Sequence, residues 1–343
     1  MTNQSEITIH DIARELNISA STVSRALNDN PLISKTTREK IKKVALEMGY
    51  RPNTMAANLR TRRTNTIGVI VPLINRHFFS SVISGIEDVA YTQGFAVTIS
   101  QSNDNFEKEE KIAHTLFSNR VDGLILSIGM ETKSFEHLKH FSIRNVPLVF
   151  FDRIADEIEA HKISVDDYSG GFKATSHLIE TGAKRIAHIG GPLNLNIYQK
   201  RLDGYRDAMK KAGLPVDESM LIHNSLTRAD GTNAVKKLFS QKVKPDAIFC
   251  ANDTTALSVI IYLQQHGIII PDDVSIVGFS NEPFSEVVTP SISTIRQPGF
   301  EMGQKAAELI IEQIKTKDKP VKFQQIVMPT ELIIRQSSAK RKP

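Results

Sequence analysis

The sequence predicts two unlike parts: a small all-α head, then a larger α/β core built on two doubly wound parallel sheets. Three observations predict it. Residues 1–50 hold three short amphipathic helical patterns. From Ile67 onward, short apolar runs alternate with amphipathic helical stretches, the texture of buried parallel strands joined by crossover helices. That alternation continues for about 270 residues, more than one doubly wound sheet needs.

In the head, Thr8 is placed to cap a first helix, with Asp11 three residues on as in a capping box. Ile9, Ile12, Ala13 and Leu16 form its apolar stripe, and Asn17 suits a left-handed turn. Ser19 caps a second helix that runs to about Leu27. Val23, Ala26 and Leu27 point one way on it; Ala20, Ser21, Ser24, Arg25 and Asn28 point the other. "NDNPLIS" is a loop. Ser34 opens a third helix, buried through Ile41, Val44, Ala45 and Met48, and Gly49 ends it. "RPNTMAANLRTRRTNT" reads as a polar linker with a turn or two of helix over 54–60. The expected divisions are a head over 1–51, a linker over 52–65 and a core over 66–338.

In the core, "TIGVIVP", "FAVTIS", "DGLILSI", "VPLVFFD", "RIAHIGG", "DAIFCAND" and "VSIVGFS" are strands. Helices between them stop at Gly94, Gly182, Gly213 and Gly267. The change of half falls near "HKISVDDYSGG", and "SISTIRQP" and "KFQQIVMP" mark returns between halves. The first half then holds about 66–164 plus 295–328, and the second about 165–294 plus 329–338.

Charge is unevenly placed. The chain has 343 residues and a net charge of +5. Residues 1–64 carry eleven Lys and Arg against six acids, so the whole excess lies there. A basic small part joined to a neutral large one suggests a polyanion partner for the small part. No apolar run reaches the length of a membrane span, and the N-terminus shows no secretion signal. The one cysteine, Cys250, reads as a buried small hydrophobe and fits a reducing cytoplasm.

The first two helices have the makings of a helix-turn-helix, whose second helix enters the major groove. Ala13 is the small residue needed where the helices touch, and Ile12, Leu16, Ile18, Val23 and Leu27 supply packing. Ala20 and Ser21 stand at the N-terminal end of the second helix, where Ala meets a thymine methyl and Ser donates or accepts. Arg25, one turn later, suits a bidentate contact to guanine, worth about 1–3 kcal/mol of discrimination. Ser19, Thr22, Ser24 and Asn28 read as phosphate contacts that set register, and Thr8 joins them as a DNA-contacting candidate. A helical hairpin with a serine cap accounts for any one of these residues, though not for the set.

The helix in "NTMAANLRT" is too short to persist in water and is expected to form when two copies pack together on DNA. Ala56 and Ala57 allow close approach, and Asn53 is a further DNA-contacting candidate. Leu59 has two readings: a wedge entering a base step from the minor groove, or an apolar residue packed on the following domain.

At this point the chain resembles the LacI–GalR family of bacterial transcription regulators. The resemblance is carried by "TIHDIARELNISASTVSRALN", "TREKIKKVALEMGYRPN", "AANLRTRRTNTIGVIVP", "FFSSVISGIEDVA", "VDGLILS", "KRIAHIGGP", "RLDGYRDAM", "PDAIFCANDTTALSVI", "GIIIPDDVSIVGFSN" and "STIRQP", in the family's order. It implies a helix-turn-helix, a hinge helix that inserts Leu59 into the minor groove, and a periplasmic-binding-protein-like core of two subdomains.

Fold logic places a ligand between two such sheets, outside the carboxyl ends of their strands. Arg76 and Phe79, Asp152 and Arg153, Asn252, and Ser280 follow strands in this way. Carboxylate, amide and guanidinium groups each meet two hydroxyls of a polyol, and an aromatic face takes a sugar's C–H side. Asp152, Arg153, Arg201, Asn252 and Phe79 supply that chemistry. The resemblance implies similar roles: "FDR" looks like a sugar-binding Asp-Arg pair, Arg201 and Asn252 match effector-contacting positions, and Gln297 is another cleft position. Two residues depart from the family pattern. Arg76 stands where Asn is frequent, and Ser280 where Asp is frequent. Losing that carboxylate removes a strong hydroxyl acceptor and points away from a simple pentose or hexose.

Nothing calls for a cofactor, a metal or catalysis: HExxH, GxSxG and Walker patterns are missing. One head makes too few base contacts, so a homodimer on a near-palindromic operator in double-stranded DNA is expected. "RQSSAKRKP" is polar and lacks the family's leucine-heptad tail, which favours a dimer. The resulting expectation is a cytoplasmic, sequence-specific repressor of carbohydrate uptake and catabolism genes. Its DNA affinity answers to a small sugar-like effector in the inter-subdomain cleft. The alternative is a sugar-binding protein of a transport system, which shares the core but has no use for residues 1–64.

Overall fold

Helices of 7, 8 and 13 residues are too short to stand alone. In the head they stand by covering one another. The computed structural model describes residues 7–50, 63–316 and 320–339. The chain divides between Thr64 and Asn65 into two units. In the first, α1 (Ile9–Glu15), α2 (Ala20–Leu27) and α3 (Lys35–Glu47) close around Ile12, Ala13, Val23, Ala26, Ile41 and Ala45, all buried. Val44, Met48, Leu16 and Leu27 are half-buried at its margin. Asn17 turns the chain between α1 and α2 with φ 51°. Lys42 Nζ reaches the Asp29 carboxylate at 2.6 Å and Arg38 donates to the Asp29 carbonyl at 2.9 Å, tying the loop to α3.

The second unit holds two six-stranded sheets among the described residues. Sheet A takes β1 (Thr66–Val71), β2 (Ala96–Gln101), β3 (Gly123–Leu126), β4 (Leu148–Phe151), β5 (His161–Val165) and β11 (Gln325–Met328), in the order β11-β5-β4-β3-β1-β2. Sheet B takes β6 (Ile186–Gly190), β7 (Leu221–His223), β8 (Ala247–Cys250), β9 (Ser275–Ser280), β10 (Ser293–Arg296) and β12 (Glu331–Ile333), in the order β12-β10-β9-β8-β6-β7. All pairings are parallel except β10 with β12. Central strands β3, β4 and β8 are buried throughout, as both faces of a parallel sheet are covered by helices. The crossover helices are α4 (His77–Thr92), α5 (Phe106–Ser118), α6 (Glu136–Ile143), α7 (Asp167–Glu180), α8 (Asn196–Lys211), α9 (Arg228–Phe239), α10 (Asp253–Gln265), α11 (Phe284–Val287) and α12 (Gly299–Lys315). Among the described residues no helix is long and apolar enough to cross a membrane.

The chain passes between the sheets three times, after β5, after β10 and after β11. Ile295 and Arg296 still pair with β9, so the second passage begins at Gln297, just past the expected point. The first and third passages are stitched together. Asp166 N–H donates to the Met328 carbonyl at 2.8 Å, and Lys173 Nζ donates to the Thr330 carbonyl at 2.7 Å.

One close helix contact positions the site. A Cβ added at Gly204 on α8 would lie 2.2 Å from the Tyr168 carbonyl, and one at Gly171 on α7 would lie 2.3 Å from the Arg201 carbonyl. Only glycine at both points lets these backbones meet. That approach puts Asp167 on α7 against Arg201 on α8.

Candidate functional site

In the head, the start of α1 is closed by a capping box. Thr8 donates from its N–H and its hydroxyl to Asp11 Oδ2 at 2.9 and 2.7 Å. These bonds hold the Asp11 carboxyl below its usual range. At the start of α2, Ser19 Oγ accepts from Thr22 N–H at 3.2 Å and lies 2.8 Å from both Ser21 Oγ and Thr22 Oγ1. Thr8, Ser19, Ser21, Arg25 and Asn28 are exposed; Ala20, Thr22 and Ser24 are half-buried. Asn28 donates to the Ser24 carbonyl at 2.7 Å and so partly closes the end of α2. The Arg25 side chain has no hydrogen bond or ion pair to a described residue. α2 therefore presents hydroxyls and helix N–H groups at its start and one unpaired guanidinium in its last turn, the donor set that phosphates and base edges accept. Asn53, Ala56 and Leu59 lie outside the described residues.

The core holds a cleft of about 370 Å³ between the carboxyl ends of the two sheets' strands. All eight sequence-picked residues, Arg76, Phe79, Asp152, Arg153, Arg201, Asn252, Ser280 and Gln297, line it. Sheet A contributes the segments after β1, β2, β3 and β4; sheet B contributes those after β6, β7, β8, β9 and β10.

Most of these residues are already engaged. Arg201, 3% exposed, donates from Nε to Asp167 Oδ1 at 2.8 Å and from Nη1 to the Ala251 carbonyl at 2.7 Å. Its guanidinium lies 3.5 Å from the Phe279 ring centroid and 5.6 Å from that of Tyr198. Arg153 pairs with the Asp104 carboxylate and donates to the Tyr198 hydroxyl at 3.4 Å. The Tyr198 ring thus lies within about 6 Å of two guanidinium groups, an arrangement cation–π attraction favours. Asn252 caps α10, accepting from Thr255 N–H at 2.8 Å, and donates to the Leu226 carbonyl at 3.2 Å. Arg76 donates to the Thr254 hydroxyl on the opposite half. Phe79 stacks edge-on with Phe78 and Phe151 and is largely core.

Asp152 has φ 59° and is almost wholly buried. Burial raises its carboxyl's affinity for a proton, against the pull of Arg153 and Arg201. Asp253 is the first residue of α10. It is buried beneath the cleft, accepting from Glu282 N–H at 2.8 Å and from the Thr294 hydroxyl at 2.7 Å, and burial pushes it up to about 7. Ser280 donates to Gln297 Oε1 at 3.0 Å. Gln297 Nε2, Asp167 Oδ2 and Arg153 Nε are buried and unpartnered among the described residues. Asn103, Asp104, Asp152, Leu226 and Ser280 line the cleft with positive φ, so strained backbone gathers at its wall.

Asp104, Asp167, Tyr198, Thr254 and Glu282 were not singled out from the sequence. Asp104 had a usable signal, since it follows β2 as Asp152 follows β4. Tyr198 and Arg201 are three apart on α8 and share a face, a second usable signal. Asp167, Thr254 and Glu282 reach the site through tertiary packing, and nothing local marks them. Among the described residues no group of three His, Cys, Asp or Glu is placed to hold a metal.

Comparison with known proteins sorts the two readings of the core. A family model described as bacterial regulatory proteins, lacI family, matches residues 8–53, and a periplasmic binding protein-like domain matches residues 175–338. Catabolite control protein A of Priestia megaterium is 34% identical, covering 97% of this chain and 99% of that one. The HTH-type transcriptional repressor PurR of Vibrio atlanticus (strain LGP32) is 33% identical, covering 91% and 93%. Among solved structures, the transcriptional regulator CelR–cellobiose complex matches with a TM-score of 0.74 at 28% identity, over 97% of this chain and 100% of that one. These relatives are regulators, which favours regulation over transport. With its three-helix head and two-sheet core, the chain belongs to the lacI family of bacterial regulatory proteins and is a DNA-binding transcriptional regulator.

Proposed function

We propose that this regulator represses carbohydrate-use genes, binds a near-palindromic operator as a homodimer in the cytoplasm, catalyses nothing, and changes its DNA affinity when a sugar-like effector fills the cleft. The head, 1–51, reads bases through Ala20, Ser21 and Arg25 and holds phosphates through Thr8, Ser19, Thr22, Ser24 and Asn28. The linker, 52–65, contributes Asn53 and Ala56 and inserts Leu59 in the minor groove. The core, 66–338, takes the effector on Arg76, Phe79, Asp152, Arg153, Arg201, Asn252, Ser280 and Gln297. Control is differential affinity: an effector that prefers one posture of the two halves shifts the population that grips DNA.

The observation that carries the reading is the cleft wall. Planar donors and acceptors from both sheets converge with aromatic rings on one sugar-sized space. The related CelR structure holds cellobiose, which makes an oligosaccharide the first probe. The test is a mobility shift on a selected palindromic duplex with cellobiose, ribose and glucose 6-phosphate as probes. Asp152→Ala keeps operator binding and loses the response to whichever probe acts on the native chain. A retained response removes Asp152 from the site. No preference for any duplex over random sequence sinks the whole reading.

A further inference from the structure

The turn Ser280–Asn281–Glu282 touches both halves of the core. Glu282 Oε2 accepts the backbone N–H of His77, the first residue of α4, at 3.3 Å. The first amides of a helix have no partner within it. Among the described residues Glu282 is the one partner of this amide, and Arg76 in the cap position makes no side-chain cap. A carboxylate from the sheet-B half thus caps a helix of the sheet-A half, at the end where the helix dipole favours negative charge. Two residues earlier, Ser280 meets Gln297 at the second passage between sheets.

The turn that delivers both contacts is not one the backbone prefers. Ser280 has φ 107° and Asn281 φ 54°, a region side-chain-bearing residues seldom occupy. From below, Thr294 Oγ1 accepts Asn281 N–H at 3.2 Å, and Asp253 Oδ2 accepts Glu282 N–H at 2.8 Å. From the side, Asn281 Oδ1 accepts from Arg335 Nη2 at 2.8 Å. Arg335 follows β12 near the end of the chain, and its guanidinium also donates to Glu286 Oε1 at 2.8 Å, the Ile292 carbonyl at 2.9 Å and Ser285 Oγ at 3.2 Å. Its backbone is held separately: Arg335 N–H donates to Ser293 Oγ at 2.8 Å, and Ser337 Oγ donates to the Ile276 carbonyl at 2.7 Å. The side chain is therefore free to serve the turn without carrying the tail.

We propose that Arg335 is a positioning residue for the cleft. Through Asn281 it holds the Ser280–Glu282 turn in the shape that caps α4 from the opposite half, so the C-terminal segment sets how readily the two halves part. The regulatory meaning rests on the cleft being the effector site; the test needs no ligand.

The experiment is amide hydrogen exchange on the full chain, without ligand, for the native protein, Arg335→Gln and Asn281→Gly. Glycine keeps the left-handed backbone at 281, removes the acceptor and leaves the tail untouched. Both variants are expected to speed exchange at His77 and Glu282 by about tenfold or more, the loss of a charge-assisted bond, while residues 275–279 keep their native rates. A His77 amide unprotected in the native chain overturns the proposal. So does a native His77 rate in Asn281→Gly, or an Arg335→Gln variant loosened only over 331–338, which makes Arg335 a tail anchor. If Arg335→Gln loosens all of sheet B, Asn281→Gly decides alone. An Asp152→Ala variant that still answers its probe faults the effector reading and leaves these exchange results standing.

Discussion

Arg25 in the head is exposed, and its guanidinium has no partner among the described residues. Arg201 in the core is 3% exposed and pairs with Asp167, a carbonyl and two aromatic rings. Both are arginines at a surface proposed for recognition. The first waits for a partner to supply its bonds; the second has them already and offers a ligand a fixed wall. Desolvation explains the difference. A solvated guanidinium costs nothing to leave unpaired, whereas a buried one must be paired before any ligand arrives. The head's reading arginine is left for DNA to satisfy, while the buried Arg201 of the cleft is paired before any ligand arrives, although Arg153 Nε and Gln297 Nε2 beside it keep no partner among the described residues.

The largest test of that contrast is Arg201→Met. It strands the Asp167 carboxylate in the core and is expected to cost about 3–5 kcal/mol in urea unfolding of the full chain. A loss under about 1 kcal/mol would mean the pair is not buried as described. Next comes pH. His188 is stacked between Tyr205 and Phe249 with Nδ1 3.1 Å from the Phe249 carbonyl, and burial pushes its imidazole down to about 3 from 6.5. The unfolded chain therefore takes up this proton first. Stability present above pH 6.5 drains as pH falls towards 3, by roughly 3–4 kcal/mol from this group. Thermal melts of His188→Asn should show a flatter acid limb.

Arg25→Ala is the counterpart of Arg201→Met. Its stability is expected within about 0.5 kcal/mol of native, while discrimination between operator and random duplex falls by about 1–3 kcal/mol. Competition binding at fixed salt reads the second quantity, and an unchanged ratio removes Arg25 from the reading face. The smallest effect is Ser19→Ala, which removes the cap of α2 and should cost the head about 1 kcal/mol. Faster exchange of the α2 amides would report it.

What could be read beforehand was what local chemistry dictates. Ser19, Ser34 and Thr8 mark helix starts, and Gly94, Gly182, Gly213 and Gly267 follow helix ends with positive φ. Six of the eight cleft residues were legible because the carboxyl end of a parallel strand is a place defined by sequence order; Arg201 and Gln297 came through the family resemblance. What escaped was pairing at a distance. Asp167 meets Arg201 only because Gly171 and Gly204 let two helices touch, and Arg335 meets Asn281 across 54 positions of chain. At the start of α10 the cap is Asn252, while its neighbour Asp253 turns inward to bonds that only the fold brings near.

The three passages between sheets carry a mechanical consequence. Three short straps, two of them laced together at Asp166 and Met328, join the two lobes at three separate points of the chain. A protease that severs one strap leaves two, so the nicked core should stay assembled.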